Sequence, residues 1–266
     1  MRIVPVCACL VALACSAVAS AAAPDAGSGD VAIVGTDGDE VLEGTPGPDV
    51  FVDQGGDDTI VGLGGDDVIW DGPGDDVIGA GSGNDIVRLA EGRNVVEGGE
   101  GADRIVGGPE AERLLGGAGA DTITGGGGPD LLYGGPGPDH LEGNRGDDHL
   151  DGGLGGDTLY GGRISGTPAA YDGYDVLLGR GGDDRLAGGW QKDRLFGGPG
   201  PDRLAGGPHA DLLRGDEGPD LLRGETGDDL LLGRNGARDR VAGGDGFDRA
   251  SADPADRVLG VEQRVR

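Results

Sequence analysis

From Gly35 to Leu232 one large apolar residue returns every nine positions. The eighth place of each nine-residue frame holds Leu42, Phe51, Ile60, Ile69 and so on to Leu231, and in 22 frames only Pro168 breaks the series. The seventh and ninth places are mixed in polarity. The three together predict a short strand whose middle side chain points inward while its neighbours face out. A strand of that kind buries one side chain. Stability must then come from stacking many copies, which predicts a solenoid with one narrow continuous core. Val31-Ala32-Ile33-Val34 reads as a first strand capping one end.

The polar positions keep the same phase. The fourth place is Gly in every frame except at Glu110, Ile164, Gln191 and His209, and the sixth is Asp except at Glu40, Asn94, Glu112 and Gly166. Gly at the first, second and fourth places permits the positive φ angles and close backbone approach of a tight six-residue turn. Gly98-Gly99-Glu100-Gly101-Ala102-Asp103-Arg104-Ile105-Val106 is a complete copy, and Gly116 to Thr124 is another.

This nonapeptide, Gly-Gly-x-Gly-x-Asp-x-apolar-x, resembles the RTX (repeats-in-toxin) calcium-binding repeat over about three quarters of the chain. One copy would mean little in so Gly-rich a sequence; some twenty in one phase are specific. The resemblance implies an all-β fold, a right-handed parallel β-roll (β-solenoid) with two nonapeptides per turn, and calcium held between the six-residue loops. Carried over residue by residue, the sixth-position ligands are Asp49, Asp58, Asp67, Asp76, Asp85, Asp103, Asp121, Asp130, Asp139, Asp148, Asp157, Asp175, Asp184, Asp193, Asp202, Asp211, Asp220 and Asp229. Carboxylates and exposed turn carbonyls are hard oxygen donors, which calcium takes in sets of six to eight. Counting 18 residues per turn, one edge carries an unbroken series from Asp49 through Asp157 and Asp175 to Asp229. The other is interrupted at Asn94, Glu112 and Gly166. Neighbouring turns that keep both Gly and Asp number seven on the first edge and four on the second, so the expectation is roughly eleven sites, or some ten calcium ions.

Residues 161–178 keep the phase and lose the pattern: Pro168, Tyr171 and Tyr174 mark a loop excursion, with repeats at 35–160 before it and 179–251 after it. The sequence leaves open whether the excursion replaces a strand or bulges between two. The phase slips by one residue at Gly233–Ala242. Worn copies follow around Asp239 and Asp248, and a charged tail, 252–266, is expected to cap the open end.

Composition narrows the partners. With 49 acidic against 21 basic residues and a formal net charge of −28, nucleic acid and anionic membrane surfaces are disfavoured. Three Phe, two Trp and four Tyr among 266 residues, with 62 Gly, exclude a conventional aromatic-rich core. Residues 1–21 read as a signal peptide: Arg2, an apolar run, and a small-residue cleavage site at Ala19-Ser20-Ala21. Residues 22–34 then form a linker and the capping strand. Cys7, Cys9 and Cys15 all fall inside the signal, so the exported chain has no thiol and the expected location is extracellular. Leu13-Ala14-Cys15 loosely resembles a lipoprotein site, although Ala12 stands where an aliphatic residue is usual. No later stretch is long and apolar enough to span a membrane.

Enzyme chemistry finds no support. There is no His-Glu-x-x-His and no Gly-x-Ser-x-Gly, and Gly-x-Gly-x-x-Gly matches follow from composition alone. His140 and His149 occupy equivalent places on successive frames, hence opposite sheets, and read as surface residues, while Trp70 and Trp190 read as surface or loop-packing groups. Two bland readings compete: a disordered acidic chain, which does not explain a strictly periodic core residue, and a metal-free solenoid whose aspartates only favour turns. The reading that follows is a calcium-binding structural or adhesive element whose partners are calcium ions and either cell-surface or matrix components or further copies of itself. A self-assembling scaffold, or a secreted enzyme, is the alternative.

Overall fold

A computed structural model of the protein describes residues 31–162, 173–233 and 235–265, together with the backbone of Arg2–Pro5. The described residues form strands and turns with no helix, arranged as two sheets of 14 and 13 strands, parallel from Val31–Val34 onward, with consecutive strands from there alternating between them. The protein is a parallel β-roll. Stacked neighbours pair with an offset of 18 residues, as in Arg104↔Thr122 and Leu114↔Leu132. Among the described residues the one antiparallel pair is at the N-terminal end, where Arg2–Pro5 lies against Val31–Val34.

The nine-residue period is what closes the core. In a typical strand such as Arg104–Val106 the middle side chain is buried and both neighbours face outward. Every eighth-position residue in the described frames, from Leu42 to Leu231, is at most 2% exposed, and these side chains form one cluster that continues to Val241 and Ala250. Two facing columns of single aliphatic residues therefore make up the interior. Each buried Leu or Ile contributes about 1.5–3 kcal/mol of burial.

Of the signal segment expected at 1–21, all but the backbone of Arg2–Pro5 lies outside the described residues. So do residues 163–172 of the excursion. Its two ends nevertheless fix the topology. Thr158–Tyr160 pairs directly with Arg185–Ala187, and His149–Leu154 with Val176–Gly181, each with an offset of 27. Among the described residues no strand stands between these pairs, so the sheets continue across the excursion with nine additional residues in the offset. Gly161 and Gly162 open the excursion and Gly173-Tyr174-Asp175 closes it: a Cβ on Gly161 would collide with the Asp175 carboxylate, as first-position Gly does with sixth-position Asp in ordinary repeats.

Near the end, the slip at 233–242 lengthens the offset to 19, as in Leu222↔Val241. The tail adds one more strand to each sheet, Arg257–Leu259 and Gln263–Arg264. His140 and His149 do fall on opposite sheets, but each is half-buried against a cross-strand tyrosine, with ring centroids 5.4 Å (Tyr160) and 6.3 Å (Tyr133) apart.

Positive φ recurs at the second and fourth places of the turns, and there non-glycine residues carry strain. Gln191 (φ 80°) and His209 (φ 92°) stand where other turns have Gly, stacked in one column with Gln191 N donating to His209 Nδ1 at 3.3 Å. A left-handed conformation costs an ordinary residue about 1–2 kcal/mol, partly offset by the lower chain entropy of the unfolded state. Gln191→Gly is accordingly expected to stabilise the calcium-loaded protein by roughly 0.5–1 kcal/mol. A urea midpoint that stays put or falls would show that this turn is not strained.

Candidate metal sites

Each sixth-position residue ends a turn and starts a strand, and three interactions fix it. Asp103 is representative. Its N–H donates to Asp121 Oδ1 of the next turn (2.9 Å), its carbonyl accepts from Thr122 N (2.8 Å), and its own Oδ1 accepts from Asp85 N (2.8 Å). The same N–H to Oδ1 contact, 2.6–3.1 Å long, links turn to turn along both edges. The sixth-position aspartates therefore stand in two continuous columns at the strand spacing of about 4.8 Å.

Those columns differ from the ones expected at a constant 18 residues per turn. Asp157 N donates to Asp184, and Asp148 N to Asp175. The unbroken column is thus Asp49, Asp67, Asp85, Asp103, Asp121, Asp139, Asp157, Asp184, Asp202 and Asp220, continuing to Asp239. Asp175, Asp193, Asp211 and Asp229 belong to the other column, above Asp58, Asp76, Asp130 and Asp148. The physical reason is that a strand's sheet is set by alternation of the strands actually formed. An excursion one repeat long keeps the sequence phase while exchanging the two edges. The break expected at Gly166 disappears with it, and Asn94 and Glu112 remain as the departures.

In most of these carboxylates the second oxygen has no donor. Oδ2 of Asp58, Asp67, Asp76, Asp85, Asp103, Asp121, Asp130, Asp139, Asp157, Asp184, Asp202, Asp211 and Asp229 is buried without a hydrogen-bond partner, in residues at most 3% exposed. Where the first position of the turn is Gly, the oxygen lies beside it, and in several turns a main-chain carbonyl of the next turn borders the same space. A Cβ built on Gly98 would lie 2.5 Å from Asp103 Oδ2 and 2.6 Å from the Gly116 carbonyl oxygen. Gly at the first place leaves that space open.

A buried carboxylate facing carbonyls is costly in the absence of a cation. Burial, the largest cause in each case, pushes Asp103, Asp157 and Asp229 up to about 6, Asp67, Asp139 and Asp220 to about 7, and Asp202 and Asp211 to about 8. The N–H donated from the preceding turn pulls the other way. Buried anionic oxygens aimed at neutral carbonyl oxygens, with no sulfur or imidazole at the sixth positions, match the ligand preference of a hard divalent ion such as calcium.

The worn copies continue the columns. Asp239 and Asp248 are fully buried and accept from Asp220 N and Asp229 N. Asp256 and Glu262 extend the columns into the tail, accepting from Asp239 N and Asp248 N. The readable signal was Asp256-Arg257-Val258-Leu259, an Asp-x-apolar-x remnant without its glycine turn. Asp53 and Asp71, at first positions, also line the interior and are 7% and 8% exposed.

A family model for the RTX calcium-binding nonapeptide repeat matches residues 34–63, 52–87, 89–123, 106–141, 133–163, 170–204 and 205–238. No curated protein matches the chain.

Proposed function

Because the chain belongs to the RTX calcium-binding nonapeptide repeat family, we propose that it is a secreted protein whose repeats fold on binding calcium, serving outside the cell as a structural or adhesive element. That it is a calcium-binding repeat protein follows from the family. Export rests on the signal-like segment at 1–21 and on a metal chemistry suited to calcium-rich surroundings. The observation that carries the folding role is the pair of columns of buried carboxylates, in which thirteen aspartates from Asp58 to Asp229 have a second oxygen without a donor.

The corrected columns also revise the stoichiometry. Neighbouring turns that keep both fourth-position Gly and sixth-position Asp run without a gap from Asp49/Asp67 to Asp202/Asp220, giving nine pairs. The other column keeps four: Asp58/Asp76, Asp130/Asp148, Asp148/Asp175 and Asp229/Asp248. Gln191 and His209 remove the pairs around Asp193 and Asp211. With one ion per pair, the protein takes up about thirteen calcium ions.

Self-association is supported by one surface. Val176, Leu178, Phe196, Leu212, Leu230 and Leu232 lie on four adjacent strands of one sheet, half-buried, with Arg194 and Arg214 among them. Equilibrium dialysis of the purified protein, followed by sedimentation of the loaded sample, tests both readings. Two or three ions per chain would rule out the column-wide stoichiometry, and a monomer would rule out the scaffold.

A further inference from the structure

The first position of the nonapeptide is Gly in most turns, and it faces the Oδ2 of its own sixth-position carboxylate. In the first turns of the interrupted column the pattern changes: that place is held by Asp53 and, one turn later, by Asp71. Both are more than nine-tenths buried, and neither oxygen of either carboxylate has a hydrogen-bond donor. Asp53 spans two turns. Its Oδ1 lies in the space beside Gly35, and its Oδ2 would be 2.5 Å from a Cβ on Gly72.

Glu40, Asp53 and Asp58 each place a carboxylate oxygen within 4.8 Å of the others. Thr36 secures the glutamate through its N–H (2.8 Å) and hydroxyl (2.5 Å), and Glu40 N donates to Asp58 Oδ1 (2.6 Å), leaving Asp58 Oδ2 unpartnered inside the cluster. Among the described residues no Lys or Arg forms an ion pair with any of the three. Asp71 stands against Asp76 in the same way one turn on, and Leu89, at the next first position, packs on the core and ends the acidic run.

We propose that Glu40, Asp53 and Asp58 form a binding site for a hard divalent cation that adds a first-position carboxylate to two sixth-position ones, binds more tightly than the ordinary turn sites and fills first. A turn site draws on its sixth-position carboxylates and on neutral carbonyls. This one presents three carboxylates converging from two turns, and oxygen sites gain affinity with the charge count and rigidity of their ligands. Its place beside the first strands lets the ion it holds join the earliest turns before the columns above are loaded. The inference rests on the reading of the protein as calcium-binding, and the test separates the two.

The experiment is a calcium titration by competition with a chromophoric chelator, on the wild type and two variants. Asp53→Gly restores the residue that most turns carry at this place, so the roll is expected to tolerate it. Asp53→Asn keeps the shape and removes the charge. Both variants should lose the tightest class, with roughly a tenfold or greater rise in its dissociation constant, while the remaining ions still bind and produce the wild-type circular dichroism. Tight binding retained in both would overturn the proposal and indicate that Asp53 and Asp58 share a proton instead. A wild type that binds no calcium would overturn the repeat-wide reading itself. If Asp53→Gly does not fold, Asp53→Asn decides.

Discussion

Stripped of divalent ions at pH 7.5, the protein is expected to lose most of its β circular dichroism, and to regain it on titration with millimolar calcium. The cause is electrostatic. Sixth-position carboxylates stack one per turn at about 4.8 Å, where two ionised groups repel by roughly 1 kcal/mol in water and about 3.5 kcal/mol at an effective dielectric of 20. The structure adds desolvation, since these residues are at most 3% exposed. A carboxyl moved from 3.8 to about 7, as at Asp67, disfavours the ionised fold by roughly 4 kcal/mol at pH 8. Only a few such groups match the 5–15 kcal/mol by which domains are usually stable, and both columns are lined with them. Single aliphatic residues per strand, with hardly any aromatic burial, leave little to oppose that cost. Cations bridging the columns convert the penalty into binding energy, so binding energy becomes folding energy. A β spectrum indifferent to chelator would falsify this account and favour a metal-free solenoid.

Protons should partly replace the metal. In the folded chain Asp67, Asp139 and Asp220 titrate at about 7 and Asp202 and Asp211 at about 8, all raised first by burial, whereas an unfolded Asp titrates near 3.9. The folded state therefore holds these protons more tightly. The stability that protonation provides is complete below about pH 4 and is lost progressively as the pH rises from there through the folded values of about 7 to 8. In chelator, the β signal is expected to be substantial at pH 5 and to fall by pH 8. In calcium it should persist at pH 8, with ion affinity weakening as the medium is acidified. Circular dichroism recorded across pH 5–8, with and without chelator, gives the comparison. A metal-free signal that grows with rising pH would contradict the burial of these carboxyls.

Much of this architecture was legible in the amino-acid order, because each repeat is a local unit. The eighth-position apolar residue, the sixth-position Asp and the glycine turn sit within nine residues of one another. Alternation along a strand then determines which side chain enters the core without reference to the rest of the molecule. The same locality made the core from Leu42 to Leu231 readable one frame at a time.

What depended on distant residues was not readable in that way. A nine-residue excursion leaves the sequence phase intact, so only the pairing of Thr158–Tyr160 with Arg185–Ala187 reveals that the edges exchange and that Asp157 neighbours Asp184. Asp256 and Glu262 lack the glycine signature, and they join the columns because the sheets beneath them supply a register. Asp53 resembles any surface acid until two turns close around it. By itself the sequence determined the repeat, its inward residue and its oxygen ligands, since these follow from short-range sterics and chemistry. Which carboxylates face one another was decided by the tertiary structure, because stacking links residues 18, 19 or 27 positions apart, and that spacing depends on how many strands the intervening chain forms.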